Sequence, residues 1–149
     1  MRQYRWRRGS LAFLASTSPA RATANQTLGR AGEDAALALA VARGWSPWRR
    51  NIKLPIGEVD LALLRQADAQ TQLLVVEVKT SRRPILQPER RWSVAQRRRL
   101  WAIAAVLAAD AKADVVQVAL ILVVLQGSSE TVTWLPIGVD DIGLDRRGW

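Results

Sequence analysis

An α/β domain, with a mixed central sheet of about five strands flanked by helices, is the fold this sequence predicts. Three observations point to it. Residues 25–43 and 93–109 carry apolar side chains at helical spacing. Residues 73–79 and 114–125 are continuous apolar runs rich in β-branched side chains, as in strands buried on both faces. Between and beyond them, Pro55, Asp68 and Gly127 mark breaks between shorter strand-like segments.

Taken in order, the first helix starts near Asn25 or Thr27, both suitable N-caps, and runs to about Arg43, where Gly44 stops it. Leu37, Ala40 and Val41 give it an apolar stripe, and Glu33 lies one turn before Leu37 on the same stripe. A carboxylate in that position is unusual. Residues 48–53 read as a first strand, 56–65 as a second and 73–79 as a third, the last central in the sheet. A polar, proline-interrupted loop over 81–91 leads to the second helix, with Leu100, Ile103 and Leu107 on its apolar side. Residues 114–125 and 131–135 supply the fourth and fifth strands, and the last dozen residues carry no firm signal. There is no internal repeat, and residues 25–149 read as one domain.

Residues 1–24 differ in character, with five arginines and no acid. Arg7 and Arg8 precede a short apolar patch, the pattern of an export signal, but the patch is shorter than a signal core. A disordered basic tail or an over-extended start is the preferred reading, and a cytoplasmic location follows from it. No apolar run is long enough for a membrane span.

Composition excludes several chemistries. The 149 residues contain neither cysteine nor histidine, so disulfides, thiolate or imidazole zinc sites and histidine bases are ruled out. The net charge of +9 suits a polyanionic partner, although the basic first segment inflates it. Position is more informative than the total. Between Arg82 and Arg99 lie seven arginines against the single acid Glu89. Arg82, Arg83, Arg97, Arg98 and Arg99 are therefore the expected contacts to a nucleic-acid backbone, since guanidinium forks match phosphate oxygens. Trp92 and Trp101 have the right side chain for stacking on bases, yet packing against the sheet is the expectation for both.

The chemistry itself rests on carboxylates. Residues two apart on a strand share a face. Glu58 and Asp60 are thus expected to point one way, and Glu77 and Lys79 to share a face at the end of the third strand. If these strands form a hairpin, Asp60 approaches Glu77. Neighbouring carboxylates in a partly dry site repel, and a hard divalent cation such as magnesium or manganese relieves that repulsion. Lys79 adds a positive charge suited to steadying a scissile phosphate.

The ordered motifs Gly29-Arg-Ala-Gly-Glu33, Gly57-Glu-Val-Asp60-Leu and Val76-Glu77-Val-Lys79-Thr, with Ala113-Asp-Val-Val beyond them, resemble the YraN-like family of predicted endonucleases. That family is itself similar to the restriction-endonuclease-like PD-(D/E)xK superfamily, in which an aspartate is followed on the next strand by an (Asp/Glu)-x-Lys. The resemblance covers residues 28–118 and implies a restriction-endonuclease-like sheet. It further implies Asp60 and Glu77 as magnesium ligands, Glu33 as a helix glutamate joining the site and Lys79 as the catalytic lysine. One position departs: relatives carry a lysine at the start of the second helix where this chain has Gln96, with Arg97, Arg98 and Arg99 next to it.

The resulting expectation is metal-dependent cleavage of phosphodiesters, in DNA before RNA and with branched or damaged DNA as one class of substrate. A homodimer is compatible with it. Two other classes stay open: a nucleic-acid-binding module that does not cut, working in a repair or recombination complex, and an interaction protein whose acidic residues form structural ion pairs.

Overall fold

A computed structural model describes residues 23–142. Residues 1–22, which hold the export-signal reading and all of the expected tail except Thr23 and Ala24, and the last seven residues lie outside it; Thr23 caps and Ala24 begins the first helix. Helix α1 (Ala24–Ala42) starts slightly earlier than expected. Its cap is Thr23, whose hydroxyl accepts from the Gln26 N–H while the Gln26 side chain accepts from the Thr23 N–H. This reciprocal pairing satisfies two otherwise orphaned donors, so it outcompetes Asn25 and Thr27 as the start.

Five strands follow the expected order, each longer than its apolar segment: β1 (Ser46–Leu54), β2 (Gly57–Ala67), β3 (Gln70–Ser81), β4 (Val115–Gln126) and β5 (Ser129–Pro136). They form one open sheet in the order β1-β2-β3-β4-β5. All neighbours are antiparallel except β3 and β4, which run parallel because helix α2 (Val94–Ala111) carries the chain back between them. The sheet is thus mixed, and a helix covers each of its faces.

One apolar layer joins Ala35, Ala36 and Ala40 of α1 to Leu61, Leu63, Leu74, Val76 and Ile121 of the sheet. The other joins Leu100, Ile103, Ala104 and Leu107 of α2 to Val59, Leu73, Val75 and Leu120. The stripe expected on α1 is displaced: Val41 is 49% exposed, and the small residues Gly32, Ala35 and Ala36 face the sheet with Ala40. Small side chains allow α1 to lie close. A Cβ placed on Gly32 would stand 1.8 Å from the Thr80 hydroxyl oxygen of β3, so the helix backbone occupies space that only glycine leaves free.

Helix α2 begins with a second reciprocal cap, Ser93 with Gln96, and ends at Lys112 in the left-handed conformation. The loop leading to it holds one helical turn (Pro88–Arg91), and a further turn (Val139–Ile142) follows β5, where the sequence carried no signal. Among the described residues no helix is long and apolar enough to cross a membrane.

Candidate functional site

The site begins with a coordinated kink in two strands. β1 and β2 keep one register on either side of Asn51, with Arg50 opposite Leu61 and Ile52 opposite Val59, which sets Asn51 across from Asp60. Regular alternation would place Arg50 and Ile52 on one face, and Val59 and Leu61 likewise. Instead Ile52 and Val59 join the α2 layer, Leu61 joins the α1 layer, and Arg50 reaches the carboxylates of α1. Both strands therefore roll over at the Asn51–Asp60 pair. Asn51 accomplishes this with φ +48°, a left-handed conformation that asparagine adopts more readily than most residues.

Beyond the kink β2 parts from β3. Their last paired residues on that side are Leu61 and Val76, and the N–H of Val78 donates to Asp60 Oδ2 at 2.6 Å. A side-chain carboxylate thus takes over from the ladder at the fork of the sheet. Strict alternation does not pass through Asp60, and Glu58 lines the α2-side cleft together with Glu77 and Lys79. Glu58 is exposed and pairs with Lys53 at 3.6 Å, although its charge still reaches Asp60.

Glu77 and Lys79 continue the alternation of Leu73 and Val75, so both lie on the α2 side, as expected of each other. Lys79 Nζ donates to Glu77 Oε1 at 2.9 Å. Glu33 arrives from α1 and is held by Arg50 of β1 at 3.5 Å, a guanidinium that also binds Asp34 at 2.8 Å. Asp60 is the common neighbour. Burial pushes the carboxyl of Glu77 above its ordinary pKa, and the charge of Asp60 pushes it further, against the pull of Lys79 and Arg99. Glu33 is raised by burial first and by Asp60 second. Asp60 is itself raised by burial, with the Val78 N–H and Lys79 opposing. Two further acids, Glu77 and Glu33, thus lie within electrostatic reach of Asp60, and burial raises all three.

A cleft of about 70 Å³ opens between Glu77, Lys79 and Arg99, with Glu58 and Gln96 at its margin. Arg99 gets there because residue 57 is glycine: a Cβ at Gly57, whose φ is +147°, would stand 2.9 Å from Arg99 Cδ. The other expected arginines are placed differently. Arg97 Nη1 and Arg98 Nε donate to the backbone carbonyls of Asp141 and Ile142, at 3.5 and 2.7 Å, and so fasten the last helical turn to α2. Arg82 and Arg83 are exposed on the loop leaving β3. Arg99 acts on Glu77, lowering the pKa of its carboxyl against burial. Trp92 is 9% exposed and part of the α2 layer, as expected, and Trp101 packs partly buried against it.

Sequence reasoning did not find Asn51 or Arg50. For Asn51 a signal existed, a residue disfavoured in strands standing inside one. For Arg50 there was none.

Among the described residues, no group of three or more acidic side chains stands close enough to hold a metal ion together. Asp60 and Glu77 remain a neighbouring pair of hard oxygen donors, and magnesium is commonly held by one or two carboxylates with water and substrate phosphate completing its shell.

A model of the uncharacterised protein family UPF0102 matches residues 32–118, more than half of the chain. The chain belongs to UPF0102. The match runs from Gly32, beside Glu33, to Val118 on β4, and so takes in Asp60, Glu77, Lys79 and Arg99. No curated protein matches the chain.

Proposed function

We propose that this UPF0102 protein is a magnesium- or manganese-dependent endonuclease that hydrolyses phosphodiester bonds in DNA. The observation that carries the reading is the fork between β2 and β3, where Asp60 and Glu77 come together half-buried and mutually repelling, with Lys79 on Glu77 and Arg99 beside it.

The donor set fits a hard cation. Both carboxyls are raised by burial, and Asp60 raises Glu77 further, so a positive charge between them is favoured. Asp60 and Glu77 would hold the ion, and Glu33 is the third acidic group within electrostatic reach of Asp60. When bound, such an ion supplies charge neutralisation at the phosphate and activation of water for in-line attack.

The remaining work falls to the chain. The N–H of Val78 fixes the carboxylate of Asp60 at the fork, so its orientation does not depend on the ion. Lys79, which donates to Glu77 Oε1 at 2.9 Å, would donate to the nucleophilic water or to a non-bridging phosphate oxygen. Arg99 binds a second phosphate oxygen at the cleft. Hydrolysis then forms one bond from water oxygen to phosphorus and breaks one ester bond, with a proton passing to the departing alkoxide.

Purified protein incubated with magnesium or manganese and single-stranded, duplex, nicked and branched DNA should cut at least one of them. Asp60→Ala and Glu77→Ala should reduce cleavage by a factor on the order of 100 or more, the scale of losing a transition-state electrostatic group. Cleavage retained by either variant rejects the proposal.

The lack of a three-acid cluster among the described residues favours a second reading, a nucleic-acid-binding module that does not cut. Salt-sensitive DNA binding without metal-dependent cleavage would establish it.

A further inference from the structure

A second cleft of about 330 Å³ adjoins the first and shares Lys79, Trp92 and Gln96 with it. We infer that this cleft receives a single unpaired nucleobase next to the phosphate held at Lys79, so that the preferred substrate is a strand with at least one unstacked nucleotide. The inference rests on the nuclease reading above and specifies its substrate.

Size is the first argument. A volume near 330 Å³ lies at the lower end of small-ligand clefts, about 300–1,000 Å³, which suits one base with its sugar and not a base pair. The second argument is the chemistry of the walls. Ile85, Pro88, Trp92 and Leu122 supply an apolar, partly aromatic lining, and a base presents a π-face to such a lining whatever its identity. Beside Ile85 in the same loop, Leu86 is 76% exposed, an apolar side chain available to cover an inserted base.

Polar groups on the rim are donors. Gln96 Oε1 accepts from the Ser93 N–H at 2.9 Å as half of the helix cap, which turns its NH₂ group away from that bond and leaves it to donate elsewhere. Ser81 Oγ accepts from the Arg83 N–H at 3.0 Å, and its own hydroxyl proton is free to turn toward the cleft. With Lys79, these donors match the carbonyl and ring-nitrogen acceptors of a base and the oxygens of its phosphate. Gln96 stands at the junction of the two clefts, and so at the step from phosphate to base.

Two variants test this without dismantling the fold. Ile85→Trp fills the cleft from its rim. Gln96→Glu keeps an oxygen for the Ser93 N–H but removes the donor. Both are checked for an unchanged circular-dichroism spectrum. Binding is measured by fluorescence anisotropy in calcium, with a labelled single strand, the same strand carrying one abasic site at the central position, and the matched duplex.

The intact single strand should bind about tenfold tighter than the abasic strand, the scale of one base taken from water into a largely apolar lining. Ile85→Trp should erase that difference, and Gln96→Glu should weaken the intact strand more than the abasic one. Equal affinity for the three nucleic acids, with metal-dependent cleavage intact, overturns the cleft assignment and leaves the nuclease reading standing. No binding and no cleavage of any of them overturns both. Competition by a free deoxynucleoside monophosphate as strong as that of the strand would give the cleft to a mononucleotide and also overturn the proposal.

Discussion

Asn51 is the residue on which the placement of Asp60 turns. A left-handed backbone costs a residue with a Cβ about 1–2 kcal/mol, and a β-branched residue most of all. Asn51→Val should therefore lower stability by roughly that amount, whereas Asn51→Gly should be tolerated. Urea unfolding of the two variants measures the difference. The valine variant should also lose catalytic activity disproportionately, because straightening β1 pulls Asp60 from the Val78 N–H. Sequence reading reached Asp60, Glu77 and Lys79 by residue type and motif, since carboxylates at strand ends with a lysine are conspicuous. It could not reach the kink, because left-handed φ at one asparagine is a backbone event that apolar patterning does not record. Unbroken alternation did not describe this part of β1 and β2, where Ile52 and Val59 join one apolar layer and Leu61 the other.

The acids at the fork also shape stability at this scale. Asp60, Glu77 and Glu33 all have folded pKa values raised above the unfolded ones, chiefly by burial. A group raised in this way contributes stability fully below its unfolded pKa, near pH 4, and loses it as pH rises through the folded value. Without a divalent cation, then, the ionised acids work against folding at neutral pH. Asp60→Asn keeps an oxygen for the Val78 N–H and removes the charge. In EDTA at pH 7 it should be more stable than the natural sequence by an amount on the order of 1 kcal/mol, as is common where function opposes stability. That advantage should shrink toward pH 4. An Asp60→Asn variant that is less stable at both pH values would contradict the electrostatic account.

At the scale of elements, α1 and α2 approach the sheet through two glycines with different consequences. Gly32 lets α1 sit against Thr80, where an added Cβ would lie within 3 Å of three atoms of that side chain. Gly32→Ala should destabilise the fold by about 1–3 kcal/mol through overpacking, seen as a lower urea midpoint. It should also move Glu33 outward. At Gly57 an added Cβ would meet Arg99 Cδ at 2.9 Å and Ile103 Cδ1 at 3.4 Å on a backbone of φ +147°, so Gly57→Ala should both strain β2, lowering the urea midpoint, and displace Arg99 from the cleft. Both helices and all five strands were legible in advance from apolar runs bounded by Gly44, Pro55, Asp68 and Gly127, although the buried stripe of α1 and the alternation of β1 and β2 were not. The last turn, Val139–Ile142, was not, since Arg97 and Arg98 of α2 hold its carbonyls and no local pattern encodes a contact over that distance.

For the whole molecule, the proposed function separates Arg99, which acts on Glu77, from Arg97 and Arg98, which hold backbone carbonyls. If the proposed function holds, Arg99→Ala should weaken DNA binding and lower the salt slope by about one counterion, the loss of the one phosphate contact proposed for it. Arg97→Ala and Arg98→Ala should instead lower the melting temperature, with a smaller effect on the salt slope, because both side chains hold backbone carbonyls of the last turn, at Asp141 and Ile142. Composition alone presented these arginines as one basic surface. Only the fold separates the one beside Glu77 from those that fasten the turn at Val139–Ile142.

The account as a whole depends on Asp60 and Glu77 serving together as an oxygen site for a divalent ion. Calorimetric titration of manganese into the protein tests this most directly. The natural sequence should take up one ion per chain, and both Asp60→Asn and Glu77→Gln should abolish the heat of binding while remaining folded. Manganese bound equally well by either variant, or not bound by the natural sequence, would contradict it.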